Sequence, residues 1–155
     1  MSTMNLIDVV IGNADRDPDR AALLTDETTI SYRHLLEKSS QCARFLAREG
    51  VRAGDRVGIA LPRAAESLVG VLAAWFLGAT PLVLDFRMKS AEKSTLASGL
   101  NVVAFVQARP GPGATSYLEI VAGDLFETIA GEDAALYERP VTDHPALIFR
   151  TSGTT

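Results

Sequence analysis

The sequence predicts an α/β fold, with layered βαβ units around a mostly parallel sheet. Three observations lead there. Residues 56–61 and 80–84 are short apolar runs of the buried-strand kind, and residues 64–77 between them are long enough for a helix. The pattern then repeats, with a weaker helix over 88–98 and a further apolar run over 102–106. Residues 146–149 supply one more strand near the chain end. Strand, helix, strand with short joints is a βαβ unit, whose crossover is expected to be right-handed.

Composition narrows the function classes. The 155 residues, 47% of them hydrophobic, suit one domain with a real core. The net charge of −4 is spread over interspersed positive and negative residues, which excludes a basic nucleic-acid footprint and any DNA or RNA partner. Cys42 is the lone cysteine, so no internal disulfide can form, and a cytoplasmic location is expected. The first five residues are polar and lack the basic region of a signal peptide. The longest apolar run, residues 68–78, falls short of the roughly 20 residues a transmembrane helix needs, so a soluble protein is expected.

Taken in order, residues 5–11 read as a short amphipathic helix ending near Gly12 or Asn13. Asp15, Asp17 and Asp19 are spaced like calcium ligands, but Arg20 stands where the turn needs Gly and Asp26 where the loop needs Glu. That stretch is a solvated turn. Residues 21–24 and 28–30 form a small β-hairpin. Ser31 is placed as the N-cap of a long helix, with Ile30 and Leu35 as its hydrophobic staple. Tyr32, Leu35, Leu36, Ser39, Cys42, Ala43 and Leu46 follow the helical period and give it one apolar face, and Gly50 stops it. On that face Cys42 is a small core residue rather than a reactive thiol. His34 has no partner at metal-ligand spacing and reads as a helix-start or surface residue.

Residues 51–55 form a turn. Pro62 ends the next strand and pre-sets the first turn of the following helix. That helix is apolar nearly all round, so it should lie deep against the sheet until Gly78 ends it. Pro81 sits near the start of its strand, where a missing N–H is tolerated. Residues 109–116 are a Pro/Gly surface connection without the third Gly of a dinucleotide fingerprint. Residues 117–121 are a further strand and 125–129 a turn of helix, and the polar stretch 131–144 bridges to the last strand.

From Thr151 onward every side chain is a hydroxyl or a hydrogen: Thr151, Ser152, Gly153, Thr154, Thr155. Such a string can bring backbone N–H groups and hydroxyls toward one anion, because nothing bulky holds a phosphate away. It can equally be a solvated terminus. It is not a Walker A loop, since that spacing and its Lys are absent.

Thr151-Ser152-Gly153-Thr154-Thr155 after an apolar strand resembles the phosphate-binding loop of the adenylate-forming enzymes, which include acyl-CoA synthetases, luciferases and peptide-synthetase adenylation domains. The likeness runs upstream through Asp17-Pro18-Asp19-Arg20-Ala21-Ala22-Leu23 and Ser31-Tyr32-Arg33-His34-Leu35. It is strongest in Gly50-Val51-Arg52-Ala53-Gly54-Asp55-Arg56-Val57-Gly58-Ile59-Ala60-Leu61-Pro62 and continues in Leu77-Gly78-Ala79-Thr80-Pro81-Leu82-Val83-Leu84-Asp85. The departures are His34 in place of Glu, Phe76 and Leu77 in place of Lys and Ala, a displaced Pro81, and Arg150 where an aromatic residue is usual. Arg150 could face the anion or pair with an acidic neighbour.

The resemblance implies the N-terminal portion of the large domain of an acyl-CoA synthetase, with residues 1–155 ending inside the phosphate loop. It implies a ligase that activates a small carboxylic acid with ATP and Mg²⁺ as an acyl-adenylate and passes the acyl group to CoA. Thr151, Ser152, Gly153, Thr154 and Thr155 would hold the β- and γ-phosphates. No residue of the chain is assigned a catalytic or metal-binding role, so residues 1–155 alone are expected to be inactive. A peptide-synthetase adenylation domain is the alternative within the family. A non-catalytic α/β module for protein contacts or phosphate binding is the alternative outside it.

Overall fold

The first helix, α1, spans Leu6–Arg16 and runs straight through the Gly12 and Asn13 at which the sequence suggests a stop. Two side-chain contacts carry it on: the Arg16 guanidinium donates to the Gly12 carbonyl at 3.2 Å and to Asn13 Oδ1 at 3.3 Å. Ala14 is buried, so the extra turn also adds to the core. Asp15 and Arg16 therefore belong to the helix, and the solvated turn begins after them. The computed structural model describes residues 6–113, 115–138 and 147–149.

Strands β1 (Ala21–Leu24) and β2 (Thr29–Ser31) pair antiparallel as the expected hairpin. Ser31 then caps α2 (Tyr32–Arg48), its Oγ accepting from the His34 N–H at 3.2 Å. Ile30 and Leu35 are both buried, as a staple requires. Gly50, at φ 109°, ends the helix while the Val51 N–H returns to the Leu46 carbonyl at 3.0 Å. The buried face of α2 is wider than the apolar period suggests, because Ser40, Gln41 and Phe45 are buried as well.

The main sheet has five strands in the order β6-β5-β3-β4-β7, all parallel. They are β3 (Arg56–Ala60), β4 (Thr80–Val83), β5 (Val102–Gln107), β6 (Leu118–Val121) and β7 (Ile148–Phe149). Helix α3 (Ala64–Leu77) joins β3 to β4, α4 (Ser90–Leu100) joins β4 to β5, and α5 (Leu125–Ile129) follows β6. Pro62 does not enter the first turn of α3. Arg63 is its N-cap, in extended conformation, and Pro62 stands one residue outside. Helix α4 starts and ends two residues later than the sequence suggests. The Glu92 carboxylate, accepting from the Lys89 N–H at 3.1 Å, sets its start, and Asn101, at φ 53°, closes it.

Strand alternation divides the core into two layers. Val57, Ile59, Ala104, Val106 and Ile120 join one cluster with α2, α3 and α5. Ala60, Leu82, Phe105 and Tyr117 join another with Leu96 and Leu100 of α4. Gly58 is what lets the second layer close: a Cβ there would lie 2.2 Å from the Phe105 ring. The Pro/Gly stretch after β5 is the expected surface connection, pinned where the Gly111 N–H donates to both Glu119 carboxylate oxygens at 3.1 and 3.2 Å.

Candidate functional site at the carboxyl edge of the sheet

In a parallel sheet every strand delivers its following loop to the same edge, and ligands gather there where neighbouring strands lead in opposite directions. Strands β3 and β5 are such neighbours: β3 leads toward β4 on one side, and β5 toward β6 on the other. The loops brought to this edge carry Pro62 and Arg63 after β3, Asp85 to Arg87 after β4, Arg109 after β5 and Asp124 after β6.

Arg63 Nη1 donates to Asp124 Oδ2 at 2.6 Å and to Glu66 Oε1 at 3.3 Å. Glu66 is 1% exposed, and its Oε1 also accepts from the Leu125 N–H at 3.0 Å. One carboxylate on α3 thus closes the start of α5, where Asp124 is the N-cap and accepts from the Glu127 N–H at 3.1 Å. The hydrogen bond from Arg63, joined by that of the Glu127 N–H, holds the Asp124 carboxyl below its usual range.

After β4, Arg87 clasps Asp85 with two side-chain bonds of 3.0 and 2.8 Å, and its backbone N–H adds a third at 2.9 Å. Those bonds hold the Asp85 carboxyl down at about 2. On the α4 face, Lys93 is buried and donates from Nζ to Gln107 Oε1 at 2.7 Å. Desolvation lowers the Lys93 pKa, against the attraction of Glu119.

Strand β7 lies beside β4, with Leu82 opposite Ile148 and Val83 opposite Phe149. The terminal apolar segment is therefore a member of the parallel sheet, and it runs toward the edge that holds Asp85. Arg150 and the residues expected to grip phosphate, Thr151, Ser152, Gly153, Thr154 and Thr155, lie outside the described residues, as do Ala146 and His144. His34 is exposed on α2, and Cys42 is fully buried in the core. Among the described residues no three His, Cys, Asp or Glu side chains come together as a metal site. No helix among them is long and apolar enough to cross a membrane.

The pattern of the family described as AMP-binding enzyme matches residues 12–155. The chain belongs to that family. Within it, the chain is 32% identical to a linear gramicidin synthase of Brevibacillus parabrevis, over 99% of its own length and 3% of that protein's. It is 30% identical to a medium/long-chain-fatty-acid–CoA/3-oxocholest-4-en-26-oate–CoA ligase of Mycobacterium marinum, over 81% of its length and 22% of the ligase. Among solved structures it is similar to the NpsA N-terminal subdomain of Klebsiella oxytoca in complex with 3-hydroxybenzoyl-AMSN. That match has a TM-score of 0.81 and 26% identity, and covers 98% of this chain and 38% of that one. The chain therefore carries the fold of the N-terminal part of AMP-binding enzymes and spans only a small share of its relatives' length.

The residues that sequence reasoning missed are polar ones in apolar settings. Glu66 left a signal, as a lone carboxylate near the start of an otherwise apolar helix. Asp124 left another, with Glu127 three residues on, which is a capping pattern. Lys93 left none, since a lysine on a weakly patterned helix reads as solvated.

Proposed function

We propose that this chain is the N-terminal portion of the large domain of an ATP-dependent acid–thiol ligase. In this reading Thr151, Ser152, Gly153, Thr154 and Thr155 hold the β- and γ-phosphates of ATP. The supporting observation is the seat of β7: a parallel strand beside β4, followed in sequence, after Arg150, by the hydroxyl string. Membership of the AMP-binding family supports the same assignment.

In the proposed reaction a carboxylate oxygen attacks the α-phosphorus of ATP. The bond from that phosphorus to the bridging oxygen breaks, giving acyl-adenylate and pyrophosphate. A thiolate then attacks the acyl carbon, and AMP leaves with the bonding electron pair. Negative charge builds on pyrophosphate in the first step, so preorganised N–H and hydroxyl donors around it lower the barrier. Mg²⁺, when bound, would offset part of that charge. The chain's own share is to bind and orient the triphosphate. The groups that perform the chemistry are expected on the remainder of such a domain, and residues 1–155 alone are expected to form no acyl-adenylate.

CoA is the first acceptor proposed, supported by the likeness to the fatty-acid–CoA ligase. The likeness to gramicidin synthase supports a second reading, in which an amino acid is activated and a carrier protein supplies the thiol. A cytoplasmic location accords with either acceptor. The test is ATP–pyrophosphate exchange by the protein with the complete domain, run against fatty, aryl and amino acids. Exchange driven by fatty or aryl acids, with AMP release on adding CoA, supports the first reading. Exchange driven by an amino acid, indifferent to CoA, supports the second. Exchange with none of these acids contradicts both.

A further inference from the structure

Residues 131–138 connect α5 to the stretch leading into β7, and they form neither helix nor strand. A backbone without secondary structure must find other partners for its polar groups. Here α2 supplies them. Gln41 Nε2 donates to the Glu132 carbonyl at 2.9 Å, and Arg44 Nη1 donates to the carbonyls of Asp133 and Ala135 at 2.9 and 2.7 Å. The Tyr137 N–H donates to Ser40 Oγ at 3.2 Å, and Arg48 pairs with the Glu132 carboxylate. The Arg44 guanidinium also lies 5.4 Å from the centre of the Tyr137 ring, which stands 6.3 Å from Phe76 of α3. Ser40 and Gln41 are buried although polar, at 0% and 8% exposure, and these bonds account for their place there.

We infer that Ser40, Gln41 and Arg44 are positioning residues that strap residues 132–137 onto α2 and so limit where β7 can sit. Any consequence for ATP rests on the role proposed for Thr151 to Thr155. Strand β7 pairs with β4 through only two residue pairs, so its placement depends on how tightly the preceding chain is held. Ten residues, 138–147, separate the strap from β7, and releasing the strap would lengthen that span to eighteen, 130–147. Doubling the span weakens closure about threefold through chain entropy. Arg44 is only half-buried and lies mid-helix, where Ala is the best helix former, so Arg44→Ala removes the strap's bonds to the Asp133 and Ala135 carbonyls without weakening α2 itself.

The experiment is amide hydrogen exchange on the 155-residue chain, comparing the parent with Arg44→Ala and Gln41→Ala. Arg52→Ala serves as control, because the Arg52 guanidinium donates to the Ala47 and Val51 carbonyls at the foot of α2, away from the strap. In both strap variants the Tyr137, Ile148 and Phe149 amides should exchange about threefold faster or more, with β3 and β5 unchanged and the control flat. Unchanged exchange in β7, or an equal rise throughout the sheet, would overturn the inference. Should Gln41→Ala not fold, Arg44→Ala decides alone. A second arm measures ATP–pyrophosphate exchange in the protein with the complete domain, where Arg44→Ala should raise the ATP KM about threefold at unchanged kcat. An unchanged KM there overturns the inference for the phosphate string. Absence of ATP exchange in the parent protein would instead contradict the proposed function, while the amide arm still decides the strap.

Discussion

Glu66 Oε1 lies 3.0 Å from the backbone nitrogen of Leu125, so a carboxylate in the first turn of α3 caps a helix that begins 59 residues later. The contact joins the loop after β3 to the loop after β6 across the carboxyl edge of the sheet. Glu66→Ala strands a buried N–H and takes one partner from Arg63. It should cost about 2–3 kcal/mol in urea unfolding, read as a lower midpoint at unchanged slope. Glu66→Gln keeps an acceptor oxygen and should cost about 1 kcal/mol.

Gly58 faces the Phe105 ring, where a Cβ would stand 2.2 Å from a ring carbon. Phe105 is itself fully buried between the sheet and α4, so it cannot swing away into solvent. Gly58→Ala should therefore destabilise by about 1–3 kcal/mol through overpacking. Pairing it with Phe105→Leu should recover part of that loss, which a double-mutant cycle in urea would measure.

Asp85 titrates at about 2 because Arg87 donates to it from both side chain and backbone. A carboxylate held below its unfolded value adds stability above about pH 4, where both states are ionised. That contribution is lost as pH falls from about 4 toward 2, through the folded value. The pair is exposed and screened, so the neutral-pH unfolding midpoint should fall only slightly in Arg87→Ala. Carboxyl NMR should nevertheless show Asp85 rising toward about 3.9 in that variant and in molar salt.

Cys42 is fully buried, and desolvation raises its thiol to about 12. The thiolate is the reactive form, so the folded chain should resist alkylation by iodoacetamide at pH 8. In denaturing urea the same thiol should react at the rate of a free cysteine. Rapid labelling of the native chain would contradict the placement of Cys42 in the α2 core.

The sheet was legible in the sequence because its central strands are largely buried and read as apolar runs, as in residues 57–60 and 102–106. Ser31, Gly50 and Gly78 marked helix ends because capping chemistry is local. The end of α1 was not legible, since Gly12 and Asn13 are helix breakers by propensity, and the contacts that carry α1 onward involve Arg16. The strap was hidden for a related reason. Gln41 and Arg44 bond backbone carbonyls some 90 residues away, and a carbonyl has no sequence signature. At the candidate site, the strand that precedes the hydroxyl string could be read from its residues, whereas the Arg63, Glu66 and Asp124 cluster depends on the start of α3 meeting the loop after β6 in space.

The most direct test of the central claim is the ATP KM of the protein with the complete domain, compared with its Ser152→Ala/Thr154→Val variant in ATP–pyrophosphate exchange. If this string holds the β- and γ-phosphates, the ATP KM should rise at least about tenfold while the KM for the carboxylic acid stays within about twofold, since losing two hydrogen bonds to a charged group costs more than 1.4 kcal/mol. An unchanged ATP KM, or an equal rise for both substrates, would contradict the assignment.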